Sequence, residues 1–369
     1  MSKVAGIPSP LHQVHQELGA SFTDFAGWTM PLRYGGELAE HRAVREAAGI
    51  FDLSHMGEIE LTGPEAGRAL DYALVGHLSA VKVGRARYTV ICDADGGVLD
   101  DLVVYRLGED HYLVVANASN AAVVSRELSA RAGGFLVEVA DKSRDCALIA
   151  VQGPRAVDIL GAVCAADLGG LPYYGSTPTV IAGHDVLLAR TGYTGEDGFE
   201  VYADSGDAVP VWRALSEAGA GHGLAPTGLA CRDTLRLEAG MALYGNELTV
   251  ATNPFDAGLG RVVKFDKPAD FVGRAALEDK RAAGGRLTLV GLVGSGRRAA
   301  RHGYPVVDEA GARVGTVTSG ALSPTLGYPI AMAYVPPAFR EPGTKLVVDI
   351  RGTAAPVEVV KLPFYQRPT

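Results

Sequence analysis

Two aspartates stand side by side in a β-rich run, VLDDLVVYRL (98–107), and a glutamate sits near the start of another, GFEVY (198–202). Adjacent carboxylates invite an acid–base dyad, but successive side chains on a strand point to opposite faces. Asp101, Val103 and Tyr105 then share one face, and Asp100, Leu102 and Val104 the other. One carboxylate of the pair can face a given pocket, and DGGVLDD taken alone is more often a solvated hairpin edge than a site. Glu200 and Tyr202 share a face opposite Phe199 and Val201. A glutamate there ordinarily meets water; buried, it needs donors, and a flat heterocycle with an amidine-like edge supplies two in parallel. Tyr88, Tyr105, Tyr173, Tyr174, Tyr193 and Tyr244 are numerous enough to wall such a pocket, or to pack a core or an interface. Arg232 and Arg236 are spaced i,i+4 and repel, so one of them needs a carboxylate elsewhere in the fold or a ligand.

Other chemistries fail on spacing. DADGGVLDD begins like a calcium loop, but Val98 stands where the loop needs glycine and Val104 where it needs the closing glutamate. His12 and His15 form an HxxH pair and His55 precedes Met56, yet no further ligand accompanies them; surface or capping roles are expected, and no metal. Neither G-x-S-x-G nor a Walker pattern occurs, and GSGRRAARHG (294–303) is expected to be a loop. Cys92, Cys146, Cys164 and Cys231 are scattered without a CxxC pair, which suits reduced thiols. With 34 Lys+Arg against 42 Asp+Glu, the net charge of −8 gives no basic footprint for nucleic acid. No apolar run reaches the ~18 residues of a membrane helix. The N-terminal MSKVAGIPSPLHQVH has neither a signal-peptide core nor transit-peptide character, so a soluble cytoplasmic protein is expected.

The elements that must position these residues are legible in outline. A chain of 369 residues suggests two or three domains, and 47 glycines imply many short strands and tight turns. ELAEHRAVREAA (37–48) predicts a helix with an Arg42–Glu46 pair, stopped by a left-handed Gly49. In GEIELTG (57–63), Ile59 and Leu61 alternate with Glu58 and Glu60 as in a strand. Residues 98–117 predict a hairpin turning at Gly108-Glu109-Asp110, and 178–203 a strand, a turn and a second strand. TGLACRDTLRLEA (227–239) predicts a helix with Thr227 at its N-cap and Gly240 past its end. From 285 onward, short apolar runs between Gly and Pro turns predict an all-β module, a small barrel, after a boundary near 280.

Six segments, in order, resemble one family: DFAGWTMPLRYGG, GIFDLSHMGEIELTG, GGVLDDLVVY, TGYTGEDGFEVY, CRDTLRLEAGMALYGNE and TSGALSPTLGYPIAMAYV. Together they are similar to aminomethyltransferase, the T-protein of the glycine cleavage system, from about residue 9 to 366. The resemblance implies an α+β fold of three domains, a cloverleaf around a central channel for tetrahydrofolate. Residues 1–55 and 142–278 would form a discontinuous folate-binding domain, 56–141 an inserted α+β domain, and 285–369 the C-terminal β-barrel. It implies transfer of a one-carbon unit from the aminomethylated lipoyl arm of a partner H-protein to tetrahydrofolate, releasing ammonia and forming 5,10-methylenetetrahydrofolate, with no metal.

The family's catalytic aspartate falls on Asp101, which would face the folate nitrogens and stabilise an iminium-like species. Its pterin-reading glutamate matches Glu200, and its folate-site arginine matches Arg232. Met56, Tyr88, Tyr105, Asn117, Tyr174 and Tyr193 match cofactor-contact positions, while Arg236 and Glu238 are expected to be structural. Cys231 replaces a small residue of the pattern, and Arg367 aligns loosely with a terminal arginine near the lipoyl entrance. Two relatives compete. One is a folate-dependent demethylase on the same fold; the flavin-linked oxidising enzymes would need a Rossmann glycine pattern at the start. The other is a non-catalytic folate-binding protein of iron–sulfur maintenance, whose KGCYxGQE-like segment is AGMALYGNE (239–247) in this chain.

Overall fold

The computed structural model describes residues 6–368; the first five residues of the stretch read for a targeting signal lie outside them. The chain forms two compact units. The first comprises Met1–Ala73, His77–Thr89 and Leu102–Arg232, the second Leu74–Gly76, Val90–Asp101 and Asp233–Thr369. Strand Val98–Gly108 therefore passes from one unit into the other between Asp101 and Leu102.

The first unit is organised on a six-stranded sheet in the order Ser176–Ile181, His184–Ala189, Gly198–Asp204, Cys146–Gln152, Ala48–Asp52, Leu224–Pro226. Ile50, Ile149, Val151, Leu188, Phe199 and Val201 bury one face of it. Val211, Trp212 and Leu215 of helix Ala208–Gly219 pack into the same core. Phe199, Val201 and Ala203 thus point inward, and the alternation leaves Glu200 and Tyr202 on the other face. Glu200 is flanked across the ladder by Ala150 and Ala189, two methyl groups that leave its side chain room.

The expected 98–117 hairpin is Val98–Gly108 paired antiparallel with His111–Ala116. It belongs to a five-stranded sheet, Arg85–Cys92, Val98–Gly108, His111–Ala116, Gly57–Thr62, Glu138–Asp141. In the second unit, six strands between Thr288 and Val360 close into the expected barrel. Val290, Leu292, Val306, Val317, Val348 and Val359 fill it.

Three local expectations are corrected. The segment 178–203 holds three strands, because Ala182-Gly183 turns inside PTVIAGHDVLLAR, with φ of +52° and +84°. Thr227 Oγ1 donates to the Ile50 carbonyl at 2.9 Å instead of serving as a cap for helix Leu229–Glu238. Gly240 does end that helix, at φ +65°, with the Met241 N–H on the Arg236 carbonyl.

Gly49 is no left-handed stop. Helix Glu37–Glu46 ends before it, and Gly49 is the second residue of strand Ala48–Asp52. Glycine is required there by crowding, since a Cβ would lie 2.5 Å from Val44 Cγ2 and 2.8 Å from Thr227 Cγ2. Gly49→Ala is expected to destabilise the protein by about 2 kcal/mol, the scale of an overpacked core. Chemical denaturation reads this as a lower midpoint at unchanged slope.

Candidate functional site

Glu200 is held from one side. Thr191 Oγ1 donates to its Oε2 at 2.5 Å, and the Tyr105 and Tyr202 hydroxyls lie 3.3 and 3.4 Å from the same oxygen. Tyr105 OH is 2.9 Å from Thr191 Oγ1, and Tyr202 OH donates to Tyr105 OH at 3.2 Å. Each hydroxyl has one proton to give. With Thr191 spending its proton on Glu200, Tyr105 donates to Thr191 and Tyr202 to Tyr105: a donor chain that ends on Oε2 and leaves Oε1 outside the cluster. Burial, with the Glu200 charge adding to it, holds the Tyr105 hydroxyl well above the usual phenol range. Burial raises Tyr202 likewise, with Tyr105 and Glu200 adding to it. Both phenols therefore stay protonated as donors. Tyr105 is wholly buried, its ring edge-on to Tyr202 at 5.6 Å.

The loop that carries Thr191 and Tyr193 is clamped from several directions. Gln152 Nε2 donates to the Thr191 carbonyl at 3.0 Å, and Gln152 Oε1 accepts from Thr194 Oγ1 at 2.9 Å. Gly192 makes room for this, since a Cβ there would fall 1.9 Å from Gln152 Oε1. Arg190 grips Asp197 with two bonds of 3.0 and 2.5 Å, and Arg45 reaches the Thr194 carbonyl and Glu196 at 2.7 and 2.8 Å. A site built on so braced a loop is preorganised.

Arg232 stacks its guanidinium 4.7 Å from the centre of the Tyr193 ring. Arg236, four residues on, turns elsewhere, to Asp233 at 2.8 Å, Glu247 at 2.9 Å and Ser319 at 2.8 Å. The i,i+4 repulsion is thus resolved by a structural ion pair for Arg236. Glu238 is likewise spent on structure, accepting from Ser323 Oγ and from the Thr325 N–H and hydroxyl.

The structure brings together Tyr105 with Glu200, and Arg232 with Tyr193. Met56 is half-buried between strands Ala48–Asp52 and Gly57–Thr62, Tyr88 half-buried on Arg85–Cys92, and Asn117 half-buried just past His111–Ala116. Tyr174 has φ +61° and sets its ring edge-on to Tyr173 at 4.8 Å. On strand Val98–Gly108, Asp100 is fully buried, as are its strand-mates Leu102 and Val104, while Asp101 is half-buried on the opposite face. The alternation argument holds, and Asp101 is the more accessible carboxylate.

The histidines are not where the sequence puts them. His15 is buried between Asp52 Oδ2 and the Tyr34 hydroxyl, each at 2.8 Å. His55 is buried too; burial and the Arg232 charge push its pKa down to about 4, so the ring is neutral at physiological pH. Sequence reasoning also missed Thr191, whose type and place in a turn-rich run gave no signal, and Glu58. The alternation in GEIELTG set Glu58 and Glu60 together on the polar face, yet Glu58 is 1% exposed with no hydrogen-bond partner for either oxygen.

Burial, with Asp141 and Glu200 adding repulsion, holds the Glu58 carboxyl well above its ordinary range. The unfolded chain sheds this proton above about pH 4.5 while the folded protein keeps it, so Glu58 costs increasing stability as pH rises from there. Glu58→Gln, neutral at every pH, is expected to gain melting temperature over the parent at pH 8 relative to pH 4, by several degrees. Thermal melts at the two pH values check this; a difference between the proteins that is flat with pH would show an ionised Glu58 instead.

An α+β chain with a clamped, half-buried glutamate–hydroxyl cluster and a C-terminal six-stranded barrel defines a class for which sequence models exist. The model described as "GCVT N-terminal domain" matches residues 11–267, and "Glycine cleavage T-protein C-terminal barrel domain" matches residues 288–366. The aminomethyltransferase of Saccharopolyspora erythraea is 63% identical over 359 residues, covering 97% of this chain and 98% of that protein. That of Streptomyces avermitilis is 61% identical over 371 residues, all of both chains. The crystal structure of glycine cleavage system aminomethyltransferase T from Bartonella henselae superposes with a TM-score of 0.92 at 38% identity, covering 98% of each chain. The chain belongs to the aminomethyltransferase family, the T-proteins of the glycine cleavage system, and its activity is that family's.

Proposed function

We propose that the Glu200 cluster is the pterin-reading end of a tetrahydrofolate site and that Asp101 is the catalytic carboxylate of aminomethyl transfer. The observation that carries the first part is the asymmetry of Glu200: three hydroxyls converge on Oε2, while Oε1 stands outside the cluster. A carboxylate fixed in this way accepts from the ring N–H and exocyclic amine of a reduced pterin, the donor pair its geometry fits. Tyr193 and Arg232 offer a flat stacked surface for an aromatic ligand. Tetrahydrofolate, when bound, supplies the nucleophilic nitrogen that takes the carbon, so this chain's residues need to bind, orient and stabilise charge rather than attack.

Asp101, the half-buried member of its pair, lies on the strand that also carries Tyr105. Its carboxylate would balance positive charge on the one-carbon unit as the amine departs. The donor would be the aminomethylated lipoyl arm of H-protein, and the released amine ammonia. The four free cysteines suit a reducing, cytoplasmic setting. Among the described residues, no helix is long and apolar enough to cross a membrane.

The test is reconstitution. Aminomethyl-loaded H-protein and tetrahydrofolate are offered together, and ammonia and methylenetetrahydrofolate are measured; dimethylated sulfur and amine donors are then offered in its place. Equimolar ammonia and methylenetetrahydrofolate from the loaded H-protein are expected. Turnover of the dimethylated donors alone would move the chain to a demethylase role on the same fold.

A further inference from the structure

Gln152 closes strand Cys146–Gln152 and is 1% exposed. Its amide lies across the segment Thr191–Thr194, with Nε2 3.0 Å from the Thr191 carbonyl and Oε1 2.9 Å from Thr194 Oγ1. A carbonyl only accepts, so the NH2 must face Thr191; the amide oxygen then faces Thr194, whose hydroxyl spends its one proton on it. Thr194 Oγ1 in turn accepts from the Glu196 N–H at 3.2 Å. Nε2 also donates, at 3.5 Å, to the carbonyl of Phe199, the residue before Glu200. Space is reserved for the amide: a Cβ on Gly192 would fall 1.9 Å from Oε1, and one on Gly198 2.6 Å from Nε2. Thr191 and Thr194 are both buried, so a lost partner leaves a polar group unsatisfied instead of wetted.

Two groups of the candidate pterin site hang on this segment. Thr191 Oγ1, at its first residue, donates to Glu200 Oε2 at 2.5 Å. Tyr193, between the two anchored residues, carries the ring that meets the Arg232 guanidinium. Gly192 inside the segment and Gly195 just past it, at φ +82°, give the free backbone many conformations to lose. We propose that Gln152 is a positioning residue for tetrahydrofolate binding: by tying Thr191 to Thr194 it aims the Thr191 hydroxyl and places the Tyr193 ring. The proposal deepens the pterin reading of Glu200 and rests on it. Arg45 separately secures the Thr194 carbonyl at 2.7 Å, so loss of the amide loosens the Thr191 end first.

The test reads tetrahydrofolate affinity by calorimetry and both KM values in the reconstituted assay. Gln152→Met keeps length and volume and removes both bonds. It is expected to raise the dissociation constant and KM for tetrahydrofolate tenfold or more, with KM for loaded H-protein within twofold and kcat at saturating folate within threefold. Thr194→Val breaks one bond while Arg45 still holds the carbonyl, so a few-fold loss of affinity is expected, and Thr194→Ser should recover it to within twofold. Adding Thr191→Val to Gln152→Met should cost at most twofold more, because the hydroxyl it removes is already misdirected. Parental affinity in Gln152→Met with only a lowered melting temperature would make the amide a brace for folding and overturn the proposal. Equal rises in both KM values, or full additivity with Thr191→Val, would overturn it as well. If Gln152→Met does not fold, the Thr194 pair decides: unchanged affinity in Thr194→Val, or no recovery in Thr194→Ser, sinks the idea. The two readings fail apart. Parental binding in Glu200→Gln ends the pterin reading and this proposal with it, whereas a weakened Glu200→Gln beside an unaffected Gln152→Met ends the role of Gln152 alone.

Discussion

Asp101→Asn is expected to lower kcat by about 100- to 1000-fold, the scale of removing one preorganised charge from a transition state, while tetrahydrofolate affinity stays within about threefold. The substitution keeps size, turns one acceptor oxygen into an NH2 donor and removes the negative charge, which matters most when positive charge develops on the carbon being transferred. The neighbouring Asp100→Asn provides the control. Asp100 is fully buried on the other face of the strand, so its loss should register in stability first and should not reproduce a pure kcat defect. Single-turnover kinetics with preloaded H-protein separate the two. A near-normal transfer rate in Asp101→Asn would remove that carboxylate from the chemistry.

This contrast was legible in the sequence because a strand has a period of two, and period alone decides which of two adjacent carboxylates shares a face with Tyr105. The same rule set Glu200 and Tyr202 together. It failed where burial is decided by a second layer. Glu58 follows the polar phase of its strand, yet packing covers that face and shuts the carboxyl in. His15 and His55 gave no apolar pattern, and their burial depends on Asp52, Tyr34 and Phe25, which are distant in sequence or on other elements. Gly49 was legible as necessary but not why: a helix-stop glycine and a crowded strand glycine look alike until Val44 and Thr227 are seen to close on it. Arg236 shows the opposite case. The i,i+4 clash with Arg232 predicted that one of the two would find a partner, and Glu247 supplies it. The barrel was legible because each of its strands is bounded by turn residues; the clamp of Gln152 on the Thr191–Thr194 loop was not, since nothing local marks Gln152 as the residue that reaches it.

Glu200→Gln is expected to weaken tetrahydrofolate binding by about 30- to 100-fold, or roughly 2–3 kcal/mol, because an acceptor oxygen becomes an NH2 facing either the ring donors or the incoming hydroxyls. The donor chain makes a second, sharper expectation. Thr191→Val preserves shape and removes the last donor onto Oε2, so Glu200 loses its fixed orientation and affinity should fall about tenfold. Thr191→Ser keeps the hydroxyl and should restore binding to within about twofold. If Thr191 acts through Glu200, its effect disappears once Glu200 is already Gln, and the double variant binds no worse than Glu200→Gln alone. Calorimetric affinities of the four proteins close this cycle. A Thr191→Val penalty that persists in full beside Glu200→Gln would mean that the hydroxyl merely holds the loop; a Glu200→Gln protein that binds like the parent would end the pterin-edge assignment, whatever Thr191 does. The Tyr105 and Tyr202 hydroxyls stand further up the same chain, at 3.3 and 3.4 Å from Oε2, so replacing either with Phe should cost less than removing the Thr191 hydroxyl.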